Sequence, residues 1–246
     1  MTDGTTDYRS EGGIAIITLN RPHKRNAMTA AMCEQLREAL MRLRDCDDRV
    51  GILCAEGATF SAGADLTAPP AQFWRAVPDI GVDVGKPIIA AIQGPVIGMA
   101  IAILAYCDLC VAAEDTRLIY PEAKVGISKG LISGITARVP HKIAMELMLT
   151  GGPISAARAY DVGFVNRVVP PGQQLAAALE MARGLAESAP LVLAQLKEFA
   201  RQTIPMSPAE TMYRSMAMVD KVGNSEDAAE GLRAFQEKRA PRFQGR

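Results

Sequence analysis

The sequence predicts an α/β fold, and three observations carry that reading. Apolar, β-branched runs alternate with helical periodicity over the first 130 residues. Beyond them the pattern is almost wholly helical. Apolar residues make up 49% of the 246, enough for a substantial core.

The elements follow in chain order. Gly13-Ile-Ala-Ile-Ile-Thr-Leu19 is β-branched and apolar and runs into Asn20-Arg-Pro22, a strand that ends in a turn. Thr29 then suits a helix N-cap, because Met32, Leu36, Leu40 and Leu43 recur at helical spacing as far as Asp45. Val50 to Ala55 reads as a buried strand, Pro87 to Ile92 as another, Ile101 to Ala105 as helix and Leu109 to Ala112 as strand. The run Pro87 to Cys107 carries no charge, but Gln93, Gly94, Pro95 and Gly98 divide it into a short strand and a short helix. We therefore expect buried core there and no membrane span. After Gly130, helical stretches fall at about 141–149, 155–161, 173–187, 190–203, 207–221 and 226–238, with Phe164 to Val169 strand-like. No low-complexity linker separates the two parts, so their boundary is expected to be packed.

Composition narrows the function. Lys plus Arg, 27, equals Asp plus Glu, 27, so no net field gathers nucleic acid or an anionic membrane. Cysteines 33, 46, 54, 107 and 110 are odd in number and lie mostly in apolar stretches, which suits reduced thiols in a cytoplasmic protein. The stretch MTDGTTDYRSEGG lacks the basic flank and apolar run of an export signal. Cys107-Asp-Leu-Cys110 has no second pair and no suitably spaced His, so it reads as core and no metal site is expected. Phosphate-loop, GxGxxG and Gly-x-Ser-x-Gly patterns do not occur, and Ser61 and Ser128 have no obvious His partner.

Three segments have the make-up of a site. Thr59-Phe-Ser-Ala-Gly-Ala-Asp-Leu66 follows a buried strand, and its small residues let a ligand approach the main chain. Gln93-Gly-Pro-Val-Ile-Gly-Met-Ala100 joins a strand to a helix start, where N–H donors are free. Two such turns facing each other would aim donors at one oxygen, the layout of an oxyanion hole. The third segment, Tyr120-Pro-Glu-Ala-Lys-Val-Gly126, sets a carboxylate among apolar neighbours, where burial would raise its pKa toward neutrality. Taken singly, each segment reads as a packing turn or a helix start.

Together, in order and spacing, they resemble the crotonase (enoyl-CoA hydratase/isomerase) superfamily almost end to end. The matching pieces are Leu19-Asn-Arg-Pro22 with Arg25-Asn-Ala27, Phe60-Ser-Ala-Gly-Ala-Asp-Leu66, Lys86-Pro-Ile-Ile-Ala-Ala-Ile-Gln-Gly94, Cys107-Asp108, Pro121-Glu122, Leu149-Thr-Gly151, Ala156 to Gly163, and Glu230-Gly…Ala234-Phe…Glu237-Lys-Arg239. The resemblance implies a crotonase-like spiral of ββα turns over residues 1–190, which would carry the CoA and acyl site, and a C-terminal helical trimerisation region over 191–246. It implies an acyl-CoA substrate, no further cofactor, no metal, and a homotrimer or dimer of trimers. Carried over position by position, the oxyanion hole would be the N–H groups of Ala64 and Met99, and CoA would lie along Arg25, Ala27, Ala62, Asp65, Leu66 and Thr67. Lys238 matches a basic position that in the superfamily reaches the CoA of a neighbouring subunit.

The departures bear on the reaction. Hydratases of this superfamily carry Gly-Gly-Gly-Cys-Glu where this chain has Gly98-Met-Ala-Ile-Ala102, so the first catalytic Glu is replaced by Ala102 and only Glu122 matches the second. Some isomerases of the superfamily work with the second Glu alone, and the chain looks similar to them there. A hydratase, or a related lyase or hydrolase, would need a second polar group, for which Asp79, Asp83 and Glu146 are candidates. A non-catalytic acyl-CoA-binding subunit is the third reading. Met99 and Ile101 are expected to narrow the acyl pocket, a short helix at Phe73, Trp74 and Ala76 to wall it, and Lys129 to lie at the surface beside Glu122.

Overall fold

The first strand, β1 (Thr5–Glu11), pairs antiparallel with β2 (Ile14–Asn20), which opens a run of parallel strands. Thr29 caps α1 (Ala30–Asp45) by accepting the Met32 N–H at 3.2 Å, a contact worth about 1 kcal/mol. The helix buries Met32, Cys33, Leu36, Ala39, Leu40 and Leu43, the predicted stripe. β3 (Val50–Ala55), β4 (Ile88–Ile92) and β6 (Leu109–Ala113) continue the sheet, and β5 (Pro95–Ile97) leads into α2 (Met99–Leu104) between them. β7 (Arg117–Ile119), α3 (Glu122–Val125), α4 (His141–Thr150), β8 (Ile154–Ser155), α5 (Ala156–Asp161) and β9 (Arg167–Val169) complete the sheet-bearing part. The chain ends in α6 (Gln174–Ala186), α7 (Pro190–Thr203), α8 (Pro208–Gly223) and α9 (Glu226–Gln236).

This is a computed structural model that describes residues 4–128 and 130–246. Six strands form one sheet in the order β1-β2-β3-β4-β6-β9, and β5, β7 and β8 form a second. The central strands β2, β3, β4 and β6 of the large sheet are buried on both faces. Ala15, Ile17 and Leu19 of β2 join the cluster that includes α1, whereas Ile14 and Ile16 join Val50, Ile52, Ile89 and Val111 beneath Ala178 and Ala182 of α6. Burial on both faces explains why β2, β3, β4 and β6 read as continuous apolar runs.

The expected elements are present with small shifts in their ends. Helix begins at Met99 rather than Ile101, and the strand-like stretch from Phe164 narrows to β9. Four strands went unanticipated. β1 is an edge strand whose polar residues show no apolar alternation, and β5, β7 and β8 are three residues or fewer. No helix among the described residues is long and apolar enough to cross a membrane.

Candidate functional site

The loop after β3 is built around Asn26, fully buried, whose side chain accepts from Arg21 N at 2.7 Å and donates to the carbonyls of Glu56 and Thr59 at 2.8 Å each. Ser61 donates to Asn26 O at 2.7 Å and accepts from Gly63 N at 3.1 Å. Its hydroxyl is thus consumed in shaping the turn, while Ser128 is exposed. Backbone bonds Ala62 N to Arg25 O, Met28 N to Gly63 O and Asp65 N to Met28 O fix the segment on both sides of Ala64. The Ala64 N–H itself has no acceptor among the described residues.

Met99 supplies a second free donor. As the first residue of α2 it precedes the helical ladder, and nothing among the described residues accepts its N–H. The two loops touch at Gly63, where φ is +85°: a Cβ there would stand 2.7 Å from Ile97 O and 3.6 Å from Met99 N. Only glycine permits that approach.

Glu122 opens α3 and lies against the same loop. At Gly98 (φ 56°, ψ −118°) a Cβ would fall 2.6 Å from Glu122 Oε1, so the missing side chain is what lets the carboxylate sit over the backbone just before Met99. Glu122 Oε2 is buried with no hydrogen-bond partner. Burial pushes the carboxyl up from 4.5 to about 7, opposed only in part by a bond to its own backbone. A carboxylate at that value exchanges protons near neutral pH.

Ala64, Met99 and Glu122 line one cavity of about 150 Å³. The rest of its wall is strongly apolar, including Phe73, Leu131 and Ile132, and Leu66 and Val125 at its edge are 62% and 50% exposed. Ala102 also lines it, which leaves Glu122 the one carboxylate of the lining among the described residues. A larger cavity of about 290 Å³, toward α7 and α8, holds ion-paired side chains and none of these three residues.

Arg25, Ala27, Ala62, Asp65, Leu66 and Thr67 are gathered by the loop bonds into one neighbourhood. Arg25 is exposed with φ 53°. Asp65 accepts from Thr67 Oγ1 at 2.6 Å and Arg21 Nη1 at 2.8 Å, and those bonds, Thr67 first, draw its carboxyl down to about 2. Lys238 is not drawn in: it is exposed beyond α9 and does not line the cavity.

Several expectations are corrected. Asp79 pairs with Lys197, Asp83 with Arg201 and Glu146 with Arg158, and none of the three acids lines the cavity. Phe73 walls it, but Trp74 stacks on Tyr213 at 5.6 Å, and neither Trp74, Ala76 nor Ile101 reaches it. Lys129 lies outside the described residues. Cys107 and Cys110 are free thiols, their pKa values raised by burial. Tyr120, passed over in the sequence except as a neighbour of Glu122, lines the cavity.

The profile of the family described as Enoyl-CoA hydratase/isomerase matches residues 9–246. An enoyl-CoA hydratase of Mycobacterium tuberculosis is 36% identical, over 96% of this chain and 94% of its own length. A carnitinyl-CoA dehydratase of Salmonella typhi is 39% identical over 96% of each. Among solved structures, a carnitinyl-CoA hydratase from Mycobacterium avium superposes with a TM-score of 0.76 at 30% identity, covering 98% of both chains. An enoyl-CoA hydratase/isomerase from Pseudoalteromonas atlantica T6c gives 0.76 at 28% identity, covering 97% and 99%.

Proposed function

The chain belongs to the enoyl-CoA hydratase/isomerase family, with its crotonase fold of two sheets and C-terminal helices, and from that premise we propose a double-bond isomerase of enoyl-CoA thioesters with Glu122 as sole proton carrier. The supporting observation is a cavity in which two unclaimed N–H groups and a single raised carboxylate share an apolar wall. The thioester carbonyl accepts from the N–H groups of Ala64 and Met99. Ionised Glu122 takes a proton from C2, charge moves onto the oxygen as a dienolate, and the same carboxyl returns the proton at C4. Each donor is worth about 3 kcal/mol on a developing oxyanion. CoA lies along Arg25, Ala27, Ala62, Asp65, Leu66 and Thr67, with Lys238 of a neighbouring copy of the chain reaching it. Within this reading residues 1–190 carry the site and 191–246 assemble the chain as a homotrimer or dimer of trimers, in the cytoplasm.

Hydration or dehydration is the second reading, favoured by the names of the relatives. Syn addition of water ordinarily divides its proton transfers between two carboxylates, and Ala102 removes one. Turnover of matched 3-enoyl- and 2-enoyl-CoA separates the two. The 3-enoyl thioester is expected to be isomerised, and Glu122→Gln to lower kcat by about 10²–10⁴-fold. Hydration of the 2-enoyl thioester without isomerisation of the other would replace the first reading by the second.

A further inference from the structure

The cavity wall holds one polar side chain besides Glu122. Among the described lining residues only Glu122 and Tyr120 carry a side-chain oxygen or nitrogen, the others being Ala, Gly, Pro, Leu, Ile, Val, Phe and Met. Tyr120 is 7% exposed, and its hydroxyl makes no hydrogen bond to any described residue. That hydroxyl is not among the fully buried unpartnered atoms, so it keeps access to the space around it and is free to donate to a ligand. It is close enough to Glu122 for the carboxylate charge to act on it, and burial first, that charge second, keep it protonated. In this pocket it therefore donates and does not ionise.

We propose that Tyr120 is a specificity-determining residue, donating a hydrogen bond to an acceptor oxygen on the acyl chain near C3 or C4, so that the preferred substrates are oxygen-substituted acyl-CoA thioesters rather than plain alkyl ones. The proposal rests on the assignment of this cavity as the acyl site. It explains why the wall departs from uniform apolarity at one place. A site that offers an unclaimed donor discriminates against ligands that leave the donor unpaired.

Binding tests this without turnover. Isothermal titration at pH 8, where Glu122 is ionised, would compare hexanoyl-CoA with 3-oxohexanoyl-CoA and 4-oxohexanoyl-CoA, whose ketone accepts but cannot donate. Wild-type protein is expected to bind one of the two oxo thioesters at least tenfold more tightly than hexanoyl-CoA, and Tyr120→Phe to bring that ratio close to one. The variant should melt at or above the wild-type temperature, because the hydroxyl it loses is unpartnered in the protein. Equal binding by wild type, a ratio that survives Tyr120→Phe, or a variant that melts many degrees lower would each overturn the assignment. Wild-type protein that binds none of the three thioesters overturns the acyl-site reading as well, whereas binding without preference overturns this inference alone.

Discussion

Under the proposed reaction, Glu122 couples activity and stability to the same proton. Its carboxyl is raised to about 7 from an ordinary 4.5, with burial as the cause, so the fold favours the neutral form. The stability tied to that preference is complete below about 4.5 and is lost as pH rises through 7. Glu122→Gln is neutral at every pH and keeps it. The difference in melting temperature between variant and wild type should be small at pH 4.5 and open in the variant's favour by pH 8, as read by differential scanning fluorimetry in matched buffers. A difference that does not change with pH would remove burial as the cause of the shift. Activity runs the other way: in the proposed isomerisation the ionised carboxylate is the base, so kcat/KM should climb from pH 5 and level off above about 7. The sequence singled out Glu122, Ala64 and Met99 only through the resemblance to the superfamily, because each segment taken alone reads as a packing turn or a helix start. It did not disclose that Gly98 gives the carboxylate its seat or that the Tyr120 hydroxyl is unpartnered, because both depend on segments far apart in the chain.

Elements whose apolar pattern had a clear period were readable, and those fixed by polar contacts were not. The stripe from Met32 to Leu43 and the dry runs of β2, β3, β4 and β6 follow from burial alone. The seating of α7 does not. Lys197 on that helix reaches Asp108 at 2.7 Å, Asp79 at 3.1 Å and the Lys86 carbonyl at 3.0 Å, while Asp108 also accepts the Ile88 N–H at 2.8 Å. One ammonium thus ties α7 to the starts of β4 and β6, through charges that from sequence alone look like solvated surface. Burial raises the Asp108 carboxyl, and Lys197 pulls against it. Lys197→Met would leave two half-buried carboxylates facing each other and should cost about 3 kcal/mol by urea denaturation at pH 7. The loss should shrink as pH is lowered and Asp108, its carboxyl raised by burial, takes up a proton. A variant as stable as wild type at pH 7 would mean that α7 is held by apolar packing, with the ion cluster incidental.

At the scale of the whole chain, the C-terminal helices present apolar surface that the fold does not cover. On α7, Val192, Leu196 and Phe199 stand at i, i+4 and i+7, and on α8 Met212, Met216 and Val219 repeat the spacing. A stripe at that period is what a helix turns toward a core, yet Phe199 is 56% and Val219 70% exposed. Both helices are fastened to their own chain on other faces, α7 through Lys197 and α8 through the stacking of Tyr213 on Trp74 and the pairing of Asp220 with Arg75. The stripes are therefore not left bare by misplaced helices, and a second chain is the natural cover. A formal net charge of zero offers no general repulsion to such contacts. Sedimentation equilibrium at micromolar concentration should return three or six times the chain mass, and Phe199→Glu combined with Val219→Glu should bring it toward one. The double variant alters no cavity residue, so its circular dichroism should keep the wild-type helical signal while the assembly comes apart. A wild-type chain that sediments as a monomer would refute the homotrimer. Those stripes would then need another partner.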